Sequence, residues 1–273
     1  TGSTSGIGRE IAKGLLVQGY TVIAHGRSAE KSRREVEQLK ASTGSDRIHT
    51  VLADLSLRSE VKRMAKEVSE RFPRIDRLVH NAAVVPKARA ETPEGLDGCF
   101  ATNVLAPFLL TRLLEDHLRA AAPSRVLYFW GGGQNVLDLE DLQSKKTPYS
   151  GWNAYCQSKN ACALLVQESA KRLSGSGISV FAVLPGLVNT EGMLGLGNFF
   201  STISPFLFRT PAQGARTPLW IANEPGLEAQ SGKCFGNLLG GAWRKETKLM
   251  PNARDPMLAA RVYAACEQLA ASA

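Results

Sequence analysis

The sequence predicts a parallel β-sheet wound outward in both directions, with helices on each face. Two observations carry that expectation. Short β-branched or apolar runs alternate with longer segments of helical spacing. Strands alternating with helices of this length imply a parallel sheet covered on both faces. No repeat, low-complexity linker or apolar run of membrane-spanning length interrupts the series. A chain of 273 residues suits one α/β domain over 1–273, with a substrate lid at about 191–212 and a C-terminal helix at about 255–271.

Taken in order, Ile7, Ile11 and Leu15 recur at helical spacing within residues 7–18. Thr21 to Ala24 is a short apolar run between Gly19 and Gly26 and reads as a buried strand. A charged helix follows over 28–42, then a strand over 48–52. Val61, Met64, Ala65, Val68 and Phe72 mark one face of a helix that Pro73 ends. Leu78 and Val79 form a strand running into Asn81. Residues 94–119 and 152–173 read as helices, 125–130 and 178–184 as strands. The helix near Gly6 ought to follow a strand and none precedes it. The expectation is a sheet with its first strand missing, a gap at its centre and poor folding.

Composition excludes several classes. With 44% hydrophobic and 21% charged residues the chain is neither disordered nor fibrous. The five cysteines form no C-x-x-C pair and the four histidines are scattered, so neither a metal site nor a disulfide framework is signalled. The default is a reduced, intracellular compartment. A targeting segment is not readable in a chain that opens on Thr1 inside a motif. The net charge of +8 raises nucleic acid as a partner. Against it, Glu30, Glu35, Glu37, Glu60, Glu67 and Glu70 interleave with the basic residues, as on ordinary solvated helix faces.

The opening Thr1-Gly2-Ser3-Thr4-Ser5-Gly6-Ile7-Gly8 leads into the first helix. Glycines there let backbone approach a pyrophosphate, and the helix N-terminus favours its charge. An ordinary loop would read the same way, so the cofactor needs independent support. A carboxylate about 20 residues after the glycines would select NAD, an arginine the extra phosphate of NADP. No acid lies between Glu10 and Glu30, and Arg27 sits at the deciding position, which favours NADP, with NADPH preferred over NADH. Tyr155 and Lys159 stand at i and i+4, placing a phenol and an ammonium on one helix face. A fixed positive charge lowers a phenol toward the working pH, and such a tyrosine can exchange a proton with a carbonyl oxygen.

Thr1–Gly8, Asp54, Asn81-Ala82-Ala83, Asn103, Tyr155/Lys159 and Pro185-Gly186-x-Val188-x-Thr190 occur in the order seen in the short-chain dehydrogenase/reductase family. The resemblance runs from residue 1 to about 240. It is nearest to the retinol-dehydrogenase-like branch, through Ala154-Tyr155-Cys156-Gln157-Ser158-Lys159 and Ala253-Arg254-Asp255-Pro256. It implies a Rossmann-type three-layer α/β/α fold and an alcohol–carbonyl oxidoreductase. Tyr155 would be the acid/base. Lys159 would hold the nicotinamide ribose and lower the phenol, and Asn103 would anchor a relay water. The loop residues Gly2, Ser3, Ser5, Gly6, Ile7 and Gly8 would hold the cofactor phosphates. Asp54 and Leu55 would meet the adenine, Asn81 and Ala82 the adenosine ribose, and Pro185, Gly186, Val188 and Thr190 the nicotinamide. Helices 94–119 and 152–173 would form the contact of a homodimer.

Two departures stand out. His80 replaces an asparagine and reads as a packed strand residue. More seriously, Trp130 or Gly131 occupies the place of the serine that hydrogen-bonds the substrate oxygen, a loss worth about 10²–10³ in rate unless replaced. The Gly131–Gly133 N–H groups or the Gln134 amide are candidate replacements. Residues 193–208, with Phe199, Phe200, Phe206 and Phe208, suit an apolar lipid, retinoid or steroid-like substrate, core packing, or shallow contact with a membrane surface. Two functions follow: an NADP(H)-dependent oxidoreductase on an apolar alcohol or carbonyl, or a cofactor-binding sensor or partner module without turnover.

Overall fold

The structure is a computed structural model and describes residues 1–131, 137–146, 148–188, 209–236, 244–249 and 251–272. Two all-parallel sheets form its frame. β1 (Val22–Gly26) pairs with β2 (Ile48–Leu52), and β3 (Arg77–His80), β4 (Ser124–Phe129), β5 (Ile178–Leu184) and β6 (Cys234–Gly236) follow in that order. Register is regular throughout: Val22 lies opposite Ile48, Leu78 opposite Val126, Val126 opposite Val180 and Ala182 opposite Cys234. Every residue of β4 and β5 is buried, so both faces are covered.

One core contains Val126, Tyr128 and Trp130; the other takes the intervening Leu127 and Phe129, as the two-residue period of a strand requires. The first core is closed by α3 (Arg58–Arg71), α5 (Ala106–Leu113) and α7 (Gly151–Arg172), the second by α1 (Gly6–Val17), α2 (Ala29–Thr43) and α9 (Arg216–Asn223). Local signals set the ends. Ser28 caps α2 by accepting from Lys31 N–H, and Gly44 closes it in the left-handed region at φ 66°. A short α8 (Pro211–Gly214) starts on a reciprocal capping box between Thr210 and Gln213.

The stretch expected as one helix over 94–119 is broken. It comprises α4 (Gly98–Phe100), a π-turn (Ala101–Leu105), α5, and α6 (Glu115–Ala120). Pro107 is the cause within the first break, because it has no N–H to close the ordinary bond onto the Asn103 carbonyl. Ala106 N–H bonds instead to Ala101, five residues back.

The gap expected at the sheet centre is present. A cavity of about 520 Å³ separates β1 from β3, lined by Val22, Ile23, Leu78 and Val79 with Ile11, Leu15 and Leu114 above and below. Residues 1–3 bridge its end: Thr1 N donates to the Val79 carbonyl (2.6 Å) and Ser3 N to the His25 carbonyl (3.0 Å). The C-terminal helix α10 (Pro256–Ala271) begins on an Asp255 cap and buries Ala259, Val262, Tyr263 and Cys266 in the core that α7 closes. Tyr263 meets Phe108 edge-on at 5.0 Å and lies under the Arg172 guanidinium at 4.0 Å. The α7 face expected to carry a subunit contact is thus partly covered by the chain's own last helix. Among the described residues no helix is long and apolar enough to cross a membrane.

Candidate active site

Of the predicted site residues, Arg27, Asp54, Leu55, Asn81, Ala82, Pro185 and Gly186 follow the carboxyl ends of parallel strands, where an open α/β sheet leaves its crevice, and Asn103, Tyr155 and Lys159 lie on helical segments. The glycine loop enters α1 with Gly2 at φ 67° and Gly6 at φ 53°, both left-handed. Ser5 places no side-chain cap on α1 and the first turn holds no acid. A helix N-terminus with free N–H groups and no competing carboxylate fits a phosphate. Gly2 packs against Ala82, and a Cβ there would meet Ala82 Cα at 3.0 Å. A side chain at Gly2 would therefore crowd the loop against Ala82.

Asn81 and Ala82 serve the loop directly. Asn81 Nδ2 donates to the Thr1 and Gly2 carbonyls (both 3.2 Å), and Ala82 N donates to Thr1 Oγ1 (3.1 Å). Asp54 Oδ1 accepts from Ser56 N–H (2.9 Å) and Ser56 Oγ (2.8 Å), which fixes the turn into α3. Leu55, expected at the adenine, has its side chain buried in the first core. Arg27 is exposed just beyond β1. Pro185 accepts from Arg209 Nη1 (3.0 Å), Gly186 is left-handed at φ 86°, and Val188 is buried. Thr190, the segment 191–208 and the candidate donors Gly132, Gly133 and Gln134 lie outside the described residues.

Tyr155 and Lys159 sit one turn apart on α7, whose N-terminus is capped by Ser150. Lys159 is buried, with Nζ 5.6 Å from the centre of the Tyr155 ring. The sequence predicts a phenol lowered by this ammonium. In the structure burial raises the Tyr155 phenol and lowers the Lys159 ammonium. The ammonium lies over the ring face, and desolvation opposes both charged forms.

Asn103 is 1% exposed, and its side chain bonds to protein partners. Oδ1 accepts from Val84 N–H (2.8 Å), while Nδ2 donates to the Val84 carbonyl (2.9 Å) and Ser158 Oγ (3.0 Å). The Asn103 carbonyl, denied its usual partner by Pro107, accepts from the Cys162 thiol (3.1 Å). Asn103 therefore ties the strand-end segment at Val84 to α7 near Tyr155. Sequence reading missed Val84, Ser158 and Cys162 because nothing local marks them.

Trp130 is buried on the α7 face of β4, and its indole Nε1 is buried without a hydrogen-bond partner among the described residues. His80 is a packed strand residue: Nε2 meets Thr111 Oγ1 (2.8 Å), and its ring lies 4.6 Å from that of Tyr128. All five cysteines are free and buried, and no cluster among the described residues could hold a metal ion.

A parallel sheet with a glycine loop opening its first helix and a Tyr–Lys pair one turn apart on α7 is the arrangement of an oxidoreductase of the short-chain type. The family model for short chain dehydrogenase matches residues 1–196, and the chain belongs to the short-chain dehydrogenase/reductase family. Within it the chain is similar to the retinol-dehydrogenase-like branch. Retinol dehydrogenase 13 of Mus musculus is 34% identical, with 96% of this chain and 80% of the relative covered. Retinol dehydrogenase 12 of Homo sapiens is 33% identical over 98% of this chain and 84% of its own. Among solved structures, an uncharacterised protein from Mycobacterium Paratuberculosis superposes with a TM-score of 0.77 at 29% identity, covering 98% of this chain and 91% of its own. Pseudomonas aeruginosa RhlG, in an NADP active-site complex, gives a TM-score of 0.68 at 25% identity over 85% and 91%.

Proposed function

We propose that the chain is an NADP(H)-dependent oxidoreductase that interconverts an alcohol and a carbonyl on an apolar substrate, with Tyr155 as the acid/base. The observation that carries the reading is the buried Lys159 ammonium beside the Tyr155 ring, 5.6 Å from its centre, on the helix that Asn103 ties to the strand ends. The cofactor, when bound, supplies or removes the hydride. Tyr155 gives its phenolic proton to the carbonyl oxygen in reduction. Burial keeps that phenol protonated, which is the form reduction consumes. Lys159 offsets the negative charge left on the phenolate. NADP is favoured because Arg27 is exposed beyond β1 and residues 11–29 contain no acid. An apolar, retinoid-like substrate is favoured by the relatives named retinol dehydrogenase. A homodimer through the helical segments at 94–119 and 152–173 is the expected assembly, with α10 covering part of α7.

A second reading, cofactor binding without turnover, rests on Trp130 or Gly131, neither of which brings a hydroxyl to the serine's place. NADPH oxidation over apolar aldehydes and ketones, retinal included, separates the two. Tyr155→Phe should lower turnover by about 10²–10⁴ while NADPH still binds. Equal turnover in that variant removes Tyr155 from the chemistry. NADPH binding without turnover in the unaltered chain favours the second reading, and no binding overturns both.

A further inference from the structure

We infer that His25 is a positioning residue for the cofactor, a strut whose imidazole fixes the glycine loop against the loop after β2. The inference rests on the cofactor reading proposed above and adds a residue to it. His25 is 6% exposed near the end of β1. Its Nδ1 accepts from Gly2 N–H (3.1 Å), and its Nε2 lies 3.1 Å from the Ala53 carbonyl. A carbonyl only accepts and an amide N–H only donates, so the two partners require one form of the ring. That form is the neutral tautomer with its proton on Nε2.

The backbone of the same residue grips the loop again. His25 N donates to Ser3 Oγ (3.0 Å), and Ser3 N donates to the His25 carbonyl (3.0 Å). Three of the four bonds at residue 25 hold Gly2 and Ser3. The fourth holds Ala53, immediately before Asp54 and the turn into α3. Ala53 N also donates to the Gly26 carbonyl (3.3 Å), so both sides of the strut are fixed to β1. A core histidine that only filled space would not need an acceptor and a donor aimed at two separate cofactor loops. An aliphatic side chain of similar volume would leave the Gly2 N–H and the Ala53 carbonyl without their partner.

The test compares His25→Leu, which keeps bulk and removes both polar atoms, with His25→Gln, whose amide offers one acceptor and one donor. NADPH affinity is read by fluorescence titration and kcat at saturating NADPH. His25→Leu should weaken NADPH binding about tenfold or more while kcat stays within about twofold. His25→Gln should recover most of the loss. Nitrogen-resolved NMR of the unaltered protein should show the His25 proton on Nε2, with slower exchange of that proton once NADPH binds. Unchanged affinity in His25→Leu, or a proton found on Nδ1, overturns the strut; the NMR result decides if His25→Leu fails to fold. An unaltered chain that takes up no NADPH overturns the cofactor reading, and the strut's role with it.

Discussion

Replacing Gly8 by alanine sets two effects of opposite sign against each other, and the structure decides between them. Gly8 is the third residue of α1, with a helical rather than left-handed backbone. On helix propensity alone, Gly→Ala would stabilise by at most about 1 kcal/mol. The added Cβ, however, would sit well inside 3.0 Å of the Gly2 carbonyl oxygen and the Asn81 amide nitrogen. One neighbour is backbone, and the other is the amide that holds the Thr1 and Gly2 carbonyls at 3.2 Å. Neither can move without opening the loop. Overpacking of this kind costs about 1–3 kcal/mol, and each hydrogen bond lost adds about 1. The clash wins by roughly 1–3 kcal/mol, or about 3–10 °C in melting temperature for a chain of this size.

Gly14→Ala supplies the control within the same helix. Its Cβ would meet Leu219 Cδ1 at 2.5 Å, the far end of a flexible side chain that can turn away. The propensity gain then stands nearly alone, and the variant should melt within about 2 °C of the unaltered chain. Thermal melts read stability, and NADPH fluorescence titration reads the loop. Gly8→Ala should also weaken NADPH by about tenfold or more, whereas Gly14→Ala should not. A Gly8→Ala protein as stable as Gly14→Ala and equal to it in NADPH affinity would refute the packing argument.

Arg27→Ala should weaken NADPH by about 10–100-fold, the size of one charge-assisted hydrogen bond, and leave NADH unchanged in parallel titrations. Glu94 gives a pH signature. Burial raises its carboxyl, but hydrogen bonds from Ser59 and Arg58 outweigh that and hold it down to about 2. Its folded value lies below the unfolded one, so its stabilisation is full above about pH 5 and is lost as pH falls toward 2. The melting-temperature difference between Glu94→Gln and the unaltered chain should close over that window. Sedimentation over a range of concentrations should show a homodimer, and a chain that stays monomeric throughout would refute that expectation.

How far the sequence could be read depended on whether the determining contact was local. The strands at 48–52 and 178–184 follow from short runs rich in β-branched and apolar residues and fall where expected. β1 was expected to end at Ala24 but continues through His25 and Gly26, whose polarity and small size hid a strand continued by pairing with β2. The break at 101–105 needed the effect of Pro107 on a carbonyl four residues earlier. β6 is only three residues long and exists because β5 offers it an edge. The Tyr155–Lys159 pair was legible because i and i+4 share a helix face. The partners of Asn103 lie 19 and 55 residues away, and no spacing rule reaches them. The expected lowering of the phenol failed for a related reason, since burial is a property of the fold rather than of the i, i+4 spacing.

The two sheets and the candidate cofactor site meet in the same few residues, which links stability to ligand binding. β1 and β3 do not pair, and residues 1–3 span the end of the cavity between them through Thr1–Val79 and Ser3–His25. The same loop presents the uncapped N-terminus of α1, and His25 and Asn81 hold it from opposite sheets. A ligand seated there would bind a loop already bonded to both sheets, so its binding free energy would resist their separation. At a hundredfold excess over Kd that amounts to about 2.7 kcal/mol, comparable with the loss worked out for Gly8→Ala. Saturating NADPH should therefore raise the melting temperature of the unaltered chain by several degrees. It should raise that of Gly8→Ala much less at the same concentration, because the residues that bridge the sheets are the ones the added methyl displaces.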